Sequence, residues 1–317
     1  MKKILVTGAG GFVGASLCRA LSLSGYPTTG VVRSIKQRVP GVDYLEVDLL
    51  QEDSFSQAFP LVDCVVHLAG RAHMLNEQAK DPLEAFRCVN RDATLKLAEK
   101  ALNANVRRFV FVSSIGVNGN QSQRCAFDEL SIVQPHADYA LSKFEAEEGL
   151  KLLVKGTKME LVIIRPPLIY GADAPGNFSR LLRLVASGVP LPFGSIHNRR
   201  SLISLENMVG VLIRCIEHPG AAGQLFLVAD GQDVSTAQMV RHLATGMGKR
   251  TLLLPVPEVA IKFGLAAMGK SSLYSQLCGS LQIDATKARR VLDWDFKTET
   301  LVELEKVGRA YAVSHSM

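Results

Sequence analysis

Hydrophobic residues occur along the first half of the chain in short, β-branched runs that alternate with longer segments of helical periodicity. The runs predict six buried strands, at 3–7, 28–32, 44–47, 63–68, 108–113 and 160–165. The periodic segments predict helices at 15–23, 82–104 and 138–154. Strands that are apolar on both faces and separated by helices are typical of a parallel sheet covered on both sides. Because crossovers between parallel strands are right-handed, we predict an α/β fold with a doubly wound sheet of the Rossmann type.

The chain begins with two lysines, an apolar run and closely spaced glycines, in MKKILVTGAGGFVGASLCRA. A secretory leader shares the basic start and the apolar middle, but glycines interrupt the run here, and Leu17 rather than a small residue precedes Cys18. A strand, a glycine turn and a helix fit better, because a dinucleotide-binding βαβ unit begins in this way. In such a unit Gly8, Gly11 and Gly14 would let the backbone turn sharply and approach a pyrophosphate at the helix N-terminus.

Composition argues against several classes of function. The 317 residues are 47% hydrophobic and 21% charged, as in an ordinary globular protein, and the net charge of +6 is scattered rather than clustered. Aromatic residues make up only 6%, so we expect no nucleic-acid partner. The six cysteines form no C-x-x-C pair, which predicts free thiols in a reducing, cytoplasmic setting. The histidines show no metal-binding spacing, His67 and His73 being the closest pair, so we expect no metal.

Residues 252–268 form the long segment that comes nearest to a membrane span. Pro255, Pro257, Glu258 and Lys262 interrupt it, so we expect no membrane insertion. We predict a packed helix in the substrate-binding part of the protein, with a peripheral membrane contact as the alternative.

The end of the second predicted strand bears on the choice of cofactor. NAD-binding units carry an acidic residue about twenty positions after the glycine turn, where it binds the adenosine ribose. Here the strand is followed by Arg33 and Ser34, without a carboxylate. A guanidinium and a hydroxyl suit the 2′-phosphate of NADP. We therefore predict NADP as the cofactor, with NAD as the alternative.

The predicted catalytic residues follow the fifth strand. Ser114 lies at the ligand-facing edge of the sheet, and Tyr139 and Lys143 follow in the segment YALSK. At positions i and i+4 of a helix, the phenol and the ammonium group share one face. A lysine cation favours the phenolate, so we expect it to lower the pKa of Tyr139 from about 10 toward neutrality. Ser114 would hydrogen-bond the same substrate oxygen, and together these groups would move a proton while a nicotinamide moves a hydride.

These segments resemble the extended short-chain dehydrogenases/reductases that act on nucleotide sugars. The resemblance rests on TGAGGFVG, the VDL after the third strand, DCVVHLAG, the VN at Val89 and Asn90, FVSSIGVNG, YALSK and RPPLIYG, and it covers nearly the whole chain. It implies that Ser114, Tyr139 and Lys143 form the catalytic set. It also implies a dinucleotide site made of Gly8, Gly11, Phe12, Val13, Arg33, Ser34, Asp48, Leu49, Leu68, Ala69, Gly70, Tyr139, Lys143, Pro166 and Ile169.

The same resemblance implies a smaller C-terminal lobe that binds the nucleotide sugar. We expect a dinucleotide-binding domain at 1–170 with a return segment at about 200–230, and a substrate lobe formed by 171–199 and 231–317. Besides Ser114, the expected substrate-binding residues are Asn177, Phe178 and Arg200, because a fork of donors suits a diphosphate; Arg199 competes for this role.

Two positions depart from the family's pattern. Asn207 stands where many relatives carry an acid, and Asn118 replaces the tyrosine of the common VYG pattern. The resemblance implies the fold, but these departures bear on the identity of the substrate.

Members of this family include 4-epimerases, 4,6-dehydratases and 4-keto reductases. A dehydratase is disfavoured, because Ile115, Gly116 and Val117 follow Ser114 where such enzymes carry an acid–base pair. Arg33 favours a reductase, which exchanges NADPH at each turnover, over an epimerase that keeps NAD bound. The segments SSIGVNG and NRRSL also resemble reductases of UDP-4-keto-6-deoxy-N-acetylhexosamines that serve bacterial surface polysaccharides.

We therefore predict an NADP-linked reductase of the C4 keto group of a UDP-activated hexose. A UDP-hexose or UDP-N-acetylhexosamine 4-epimerase with tightly bound NAD is the alternative, and a non-catalytic dinucleotide sensor is a third possibility. Family members often dimerise through a pair of helices, here those at 82–104 and 138–154, so we expect a homodimer.

Overall fold

The computed structural model describes residues 2–51, 61–72, 81–123, 125–267, 269 and 271–315; His73, noted above, lies outside them. The strands are β1 (Ile4–Thr7), β2 (Thr28–Val32), β3 (Val42–Glu46), β4 (Cys64–His67), β5 (Arg108–Val112), β6 (Glu160–Arg165), β7 (Leu168–Tyr170), β8 (Leu202–Ser204) and β9 (Leu225–Leu227). Seven of them form one sheet in the order β3-β2-β1-β4-β5-β6-β9, and every neighbouring pair in it is parallel. The predicted doubly wound parallel sheet is confirmed, and the strand order reverses between β1 and β4.

Helices cover both faces of the sheet, and they also make up most of the C-terminal part of the chain. They are α1 (Phe12–Leu23), α2 (Pro82–Arg87), α3 (Ala93–Asn103), α4 (Asp138–Val154), α5 (Asn177–Ala186), α6 (Leu205–Glu217), α7 (Thr236–Gly246), α8 (Glu258–Ala267), α9 (Ser271–Cys278), α10 (Thr286–Leu292) and α11 (Thr300–His315). Val6 of β1 packs in a core with residues of α1 and α6, and its neighbour Leu5 packs on the opposite face with α3 and α4. This alternation explains why β1 reads as a continuous apolar run in the sequence.

Several predicted boundaries hold and others shift. The bounds of β2, β6 and α4 agree with the prediction, whereas β3 spans Val42–Glu46 instead of 44–47. Helix α1 begins at Phe12, three residues before the predicted start, because its first turn includes the last glycine of the turn. The helix predicted at 82–104 is divided into α2, a π-helical turn at Cys88–Asp92, and α3.

A third core lies outside the main sheet. It joins side chains from α5, α7 and α11 with the short parallel pair β7–β8. Helices α7 and α11 approach so closely that a Cβ atom added to Gly246 would collide with the Glu305 carbonyl oxygen. Strand β9 returns to the main sheet beside β6, in register from Ile163 with Leu225. The boundaries of the two predicted units stay a prediction.

Candidate active site

The glycine turn between β1 and α1 forms a tight backbone cradle. Gly8 has φ +69° and accepts a 2.9 Å hydrogen bond from the amide of Gly11, and a Cβ atom on Gly8 would lie 2.8 Å from the Ala69 amide nitrogen. A Cβ atom on Gly14 would collide with the Gly8 carbonyl oxygen. Each glycine is therefore required by a close backbone approach or by the left-handed conformation.

The N-terminus of α1 is open toward an anion. Gly11 caps the helix without a side-chain hydrogen bond, and the first turn contains no acidic residue. The first amide groups of a helix lack partners within it and carry the positive end of its dipole. The cradle and the uncapped helix fit the pyrophosphate of a dinucleotide, which these residues would bind through backbone N–H groups.

The residues that follow β4, the strand next to β1, form a second side of the predicted dinucleotide site. Leu68, Ala69 and Gly70 follow β4 directly, and the Ala69 amide donates to the Thr7 hydroxyl at 3.3 Å. That hydroxyl also lies 2.6 Å from Nδ1 of His67, which is completely buried. Burial, together with the positive charge of Lys143, lowers the pKa of His67 to about 3, so this histidine is neutral and structural.

The predicted adenosine-binding residues lie at the ends of β2 and β3. Arg33 and Ser34 are exposed and directly follow β2. Asp48 turns the chain after β3 by accepting a 3.1 Å hydrogen bond from the Leu50 amide, and Leu49 packs against the core. A cation therefore stands at this edge where a carboxylate would bind a ribose.

Tyr139 and Lys143 lie one turn apart on α4. The Lys143 ammonium donates to the Val112 carbonyl at 3.0 Å, lies 4.6 Å from the centre of the Phe111 ring, and would be 3.3 Å from a Cβ atom on Gly70. The structure thus brings Lys143 to the loop predicted to bind the dinucleotide. Tyr139 is half-buried, packs edge-on against Phe86 with ring centres 6.0 Å apart, and its phenol has no hydrogen-bond partner among the described residues.

The expected lowering of the Tyr139 pKa is wrong for the free protein. Burial raises the pKa of Tyr139 to about 12, since a phenolate would lose its hydration. Burial also lowers the pKa of Lys143 to about 8, while the nearby Glu147 carboxylate opposes this change. Burial therefore favours the phenol over the phenolate, and the lysine cation that would ease ionisation is itself costly to maintain.

Ser114 and the catalytic helix meet at Gly116. The Ser114 hydroxyl accepts a 3.1 Å hydrogen bond from the Gly116 amide, and a Cβ atom on Gly116 would lie 3.3 Å from both this hydroxyl and Cβ of Ala140. The preceding Ser113 is buried, and its hydroxyl has no partner within the described chain. Such an orphaned hydroxyl at the carboxyl end of β5 is consistent with a polar ligand at this edge.

Pro166 and Ile169 border the same edge from the sixth strand. The Pro166 carbonyl accepts a 2.9 Å hydrogen bond from the Ile115 amide, and Ile169 is paired with Ile203 between β7 and β8. Phe12 of the glycine turn reaches this region, because a Cβ atom on Gly171 would lie 2.9 Å from its ring. Its neighbour Val13 packs partly buried against the core.

Asn90 is a site residue to which sequence reasoning gave no role. It is completely buried in the π-helical turn, where its amide group donates to the Arg71 carbonyl at 3.1 Å and to the Ser142 hydroxyl at 3.0 Å. Its oxygen accepts from the Arg71 amide at 2.8 Å. Asn90 thus holds the loop after Gly70 against α4, next to Lys143. Its place in the matched VN, as a polar residue within a predicted helix, was the available signal.

A buried ion pair lies next to Lys143 on α4. Glu147, one turn beyond Lys143, accepts two hydrogen bonds from the Arg165 guanidinium, at 2.9 and 2.5 Å, and both side chains are at most 3% exposed. Arg165 also donates to the Asn118 side-chain oxygen at 2.9 Å. The departure at Asn118 therefore has a structural role, since its amide oxygen completes the coordination of a buried guanidinium.

A separate cavity of about 280 Å³ contains the predicted substrate residues. Asn177, Phe178 and Arg200 line it together with apolar side chains of α5 and α9. The Arg200 guanidinium donates to the Gly279 carbonyl at 3.0 Å, has no carboxylate partner among the described residues, and burial lowers its pKa. A cation placed in this way favours an anionic ligand.

Arg199 lies on the other side of the same segment. It lines a different cavity, of about 450 Å³, with His197 and Arg241. Arg200 pairs with Val234 through two 3.0 Å backbone hydrogen bonds, which fixes the register of this segment. Of the two arginines, Arg200 lines the cavity that contains Asn177, and Arg199 does not.

The second departure, Asn207, also has a local explanation. Its amide donates to Asp230 at 2.7 Å, and Asp230 accepts from the Tyr170 phenol at 2.8 Å, all within a buried cluster. Burial raises the pKa of Asp230, while its hydrogen bonds oppose this change. A second acid at position 207 would place two carboxyl groups together, so an amide is the compatible partner.

Comparison with known proteins places this geometry in context. The family model described as the NAD dependent epimerase/dehydratase family matches residues 4–229. A UDP-glucose 4-epimerase of Vibrio cholerae is 43% identical over 296 residues, covering 92% of this chain and 90% of that protein. An N-acetyl-α-D-glucosaminyl-diphospho-ditrans,octacis-undecaprenol 4-epimerase of Escherichia coli O157:H7 is 24% identical and covers 90% of this chain and 88% of its own.

Solved structures show the same fold. A UDP-glucose 4-epimerase from Thermotoga maritima with UDP-glucose superposes with a TM-score of 0.80 at 21% identity, covering 99% of this chain and 100% of that one. A UDP-glucuronic acid 4-epimerase from Bacillus cereus in complex with NAD gives 0.79 at 21% identity, covering 98% and 99%.

Proposed function

The chain belongs to the NAD dependent epimerase/dehydratase family, and we propose that it is a UDP-hexose or UDP-N-acetylhexosamine 4-epimerase. The observation that carries this proposal is the 43% identity with the Vibrio cholerae UDP-glucose 4-epimerase over most of both chains. The placement of Lys143 supports it, because its ammonium group lies beside Gly70 of the predicted dinucleotide site, while Ser114 and Ala140, which follows Tyr139 in α4, both lie close to Gly116. The order of the two functions predicted from sequence is thereby reversed.

The proton chemistry of the proposed reaction follows from these three side chains. The Tyr139 side chain, ionised to the phenolate, would take the proton of the C4 hydroxyl, and the resulting phenol would later return it, while Ser114, whose oxygen already accepts from Gly116, would donate its own hydrogen to the substrate oxygen. Because burial favours the neutral phenol, the Lys143 cation is needed to lower the cost of its ionisation. A bound nicotinamide would supply hydride acceptance and return at C4.

The substrate class follows from the cavity beside Asn177. The Arg200 guanidinium has no carboxylate partner in the described chain and suits a diphosphate, while the apolar lining of the cavity suits the planar and less polar parts of a ligand. The Escherichia coli relative acts on a sugar diphosphate carried by a lipid, but its identity is much lower. A nucleotide-linked sugar is therefore the proposed substrate.

A specific observation keeps the reductase as a second candidate. Arg33 and Ser34 are exposed directly after β2, and no carboxylate follows them there. This arrangement suits NADP, and an enzyme that uses NADPH consumes it stoichiometrically.

The decisive experiment measures what the purified protein retains and what it converts. The protein is denatured, its released nucleotide is identified by chromatography, and fresh protein is given UDP-glucose and UDP-N-acetylglucosamine in separate reactions. Retained NAD with formation of the C4 epimer, and with no net change in nicotinamide absorbance, supports the epimerase. Oxidation of added NADPH by a UDP-4-keto-6-deoxy-hexosamine, without epimerisation, supports the reductase and overturns the first proposal.

The Arg33→Asp variant tests the cofactor argument by itself. If Arg33 selects a 2′-phosphate, the variant should shift the ratio of NADP to NAD affinity toward NAD by about tenfold or more. Arg38→Asp, which replaces another basic residue after the same strand, is the matched control. An unchanged ratio in Arg33→Asp removes the structural support for the reductase.

A further inference from the structure

Helix α8 is apolar on the side that faces solvent. None of its residues is buried, although seven of its ten are Ala, Val, Ile, Leu or Phe. Ile261 packs against the third core, whereas Val259 and Phe263, one turn apart, are 64% and 71% exposed. Large apolar side chains that cluster on an exposed helix face are normally covered by a partner, so Val259 and Phe263 mark a candidate contact surface.

Further exposed apolar side chains lie on two segments that are joined to each other by backbone hydrogen bonds. Leu191 exchanges backbone hydrogen bonds of 2.9 and 2.8 Å with Leu252 and Leu254, so residues 249–254 run beside the turn that follows α5. Leu253 packs inward, which leaves Leu252 and Leu254 exposed on alternate positions. We call the resulting surface the apolar rim; its members are Leu184, Val189, Leu252, Leu254, Val259 and Phe263.

The charge around the apolar rim is strongly one-sided. Residues 177–192 and 249–267 contain five basic side chains and a single acidic one, Glu258. The basic residues are all exposed, and none of them pairs with a carboxylate among the described residues: Arg180, Arg183, Lys249, Arg250 and Lys262. The combination of exposed apolar side chains with unneutralised cations is typical of a surface that binds anionic lipid headgroups.

The apolar rim borders the proposed substrate cavity. Leu184 belongs to the rim and lines the cavity, and Arg180 of the same helix lines it as well. Whatever covers Leu184 would therefore lie next to a residue that lines the proposed substrate cavity.

We propose that the apolar rim docks the protein onto the surface of an anionic phospholipid bilayer. The apolar side chains enter the interfacial region, and the five cations contact phosphate headgroups. A second copy of the chain is a poorer occupant, because a two-fold interface through this surface would bring the two sets of cations together. The docking is peripheral: among the described helices, none is long and apolar enough to cross a membrane. Sequence reasoning had left this contact as the alternative for residues 252–268.

Vesicle co-sedimentation of the full-length protein tests the proposal. The vesicles contain phosphatidylglycerol and phosphatidylcholine in equal parts, or phosphatidylcholine alone, at low salt. We expect partitioning onto the anionic vesicles to exceed that onto neutral vesicles by roughly tenfold or more, and to fall as salt is added. Equal partitioning onto both compositions, or none onto either, overturns the proposal.

Two double variants distinguish binding through the apolar rim from nonspecific hydrophobic adsorption through other exposed residues. Val259→Asp with Phe263→Asp should lower partitioning by roughly tenfold or more, since it places carboxylates at the lipid surface. Leu130→Asp with Ile132→Asp changes two apolar residues that are exposed elsewhere, at 92% and 78%, and should leave partitioning unchanged. Equal losses in both double variants contradict the proposal.

A charge reversal and a mass measurement complete the test. Arg250→Glu with Lys262→Glu keeps the apolar side chains and should also weaken vesicle binding. Sedimentation velocity is run in parallel on the wild type and on Val259→Asp with Phe263→Asp. A wild-type dimer that dissociates in this variant, combined with no vesicle binding, assigns the rim to a second copy and overturns the proposal. None of these measurements depends on catalysis, so they stand or fall separately from the proposed function.

Discussion

Helices α4 and α8 depart from the usual distribution of polar and apolar residues in opposite directions. Helix α4 buries two charged side chains, Lys143 and Glu147, whereas α8 buries none of its apolar ones. The charges of α4 find partners inside the molecule, through Arg165, the Val112 carbonyl and the adjoining loop. The apolar face of α8 finds none, and its proposed partner is a bilayer. In both helices, the requirements of folding alone do not explain why these residue types occur at these positions.

The largest expected effect concerns the phenol of α4. Tyr139→Phe keeps the ring that packs against Phe86 but removes the proton carrier, so turnover should fall by about a thousandfold or more. Affinity for the dinucleotide, measured by fluorescence titration, should change little. Near-normal turnover in Tyr139→Phe would exclude this residue as the acid–base group. It would also remove the catalytic explanation for the charges buried in α4.

A smaller effect is expected from breaking the buried pair behind Lys143. Glu147→Gln leaves the Arg165 guanidinium buried without its anion, which should lower the free energy of unfolding by about 3 kcal/mol in urea denaturation. A double variant with Met at both positions 147 and 165 should recover most of this loss, because it removes both charges. If the single and double variants are equally destabilised, the pair contributes through packing and not through charge.

The same Glu147→Gln variant has a kinetic consequence. Glu147 raises the pKa of Lys143 against the effect of burial, and Lys143 is a cation below a pKa of about 8. Activity should therefore decline as the pH rises above 8, and in the variant the decline should begin at a lower pH. The pH profile of kcat measures this shift, and a merely structural role for Glu147 predicts no shift.

Lys143→Met should raise stability while it abolishes activity. Burial lowers the pKa of Lys143 in the folded protein to about 8, below its value in the unfolded chain. Below pH 8 the lysine is charged in both states, and the folded state carries the cost of burying the cation. The stability of the wild type therefore rises as the pH increases from 8 toward the pKa of the unfolded chain. Replacing the cation should raise the free energy of unfolding at pH 7 by about 1 to 2 kcal/mol. A destabilised Lys143→Met would show that the hydrogen bond to Val112 outweighs the cost of burying the charge.

The smallest effect is expected at α8. Phe263→Asn should change the free energy of unfolding by less than about 0.5 kcal/mol and should leave turnover in solution unchanged, because the side chain is exposed and does not line the proposed substrate cavity. A loss of more than about 2 kcal/mol would mean that the ring packs inside the protein.

The parts of the structure that depend on local periodicity were accessible from the sequence. Strand β6 has the predicted bounds because its apolar run carries its own signal, and helix α4 also has the predicted bounds. The π-helical turn at Asn90 was not accessible, because it is imposed by hydrogen bonds to Arg71 and Ser142 from distant parts of the chain. Likewise, the spacing of Tyr139 and Lys143 is visible in the sequence, but the burial that raises one pKa and lowers the other is not.

The choice between Arg199 and Arg200 illustrates the same limit. Both residues suit a diphosphate chemically, and only the pairing of Arg200 with Val234 assigns them to different cavities. For α8, the prolines and charges in the sequence argue against a membrane span. They do not show which face of the helix is covered, so the exposure of Val259 and Phe263 could not be predicted.

The adjacent placement of Arg199 and Arg200 has an evolutionary consequence. Because Arg199 and Arg200 line different cavities from adjacent positions of one segment, inserting a single residue before it would move Arg199 to the position beside the cavity that Arg200 now lines, without any substitution. Within such a lineage, the gain or loss of recognition for a charged ligand could arise in one mutational event that leaves both arginines aligned. Alignments that score only residue identity would record the two positions as unchanged.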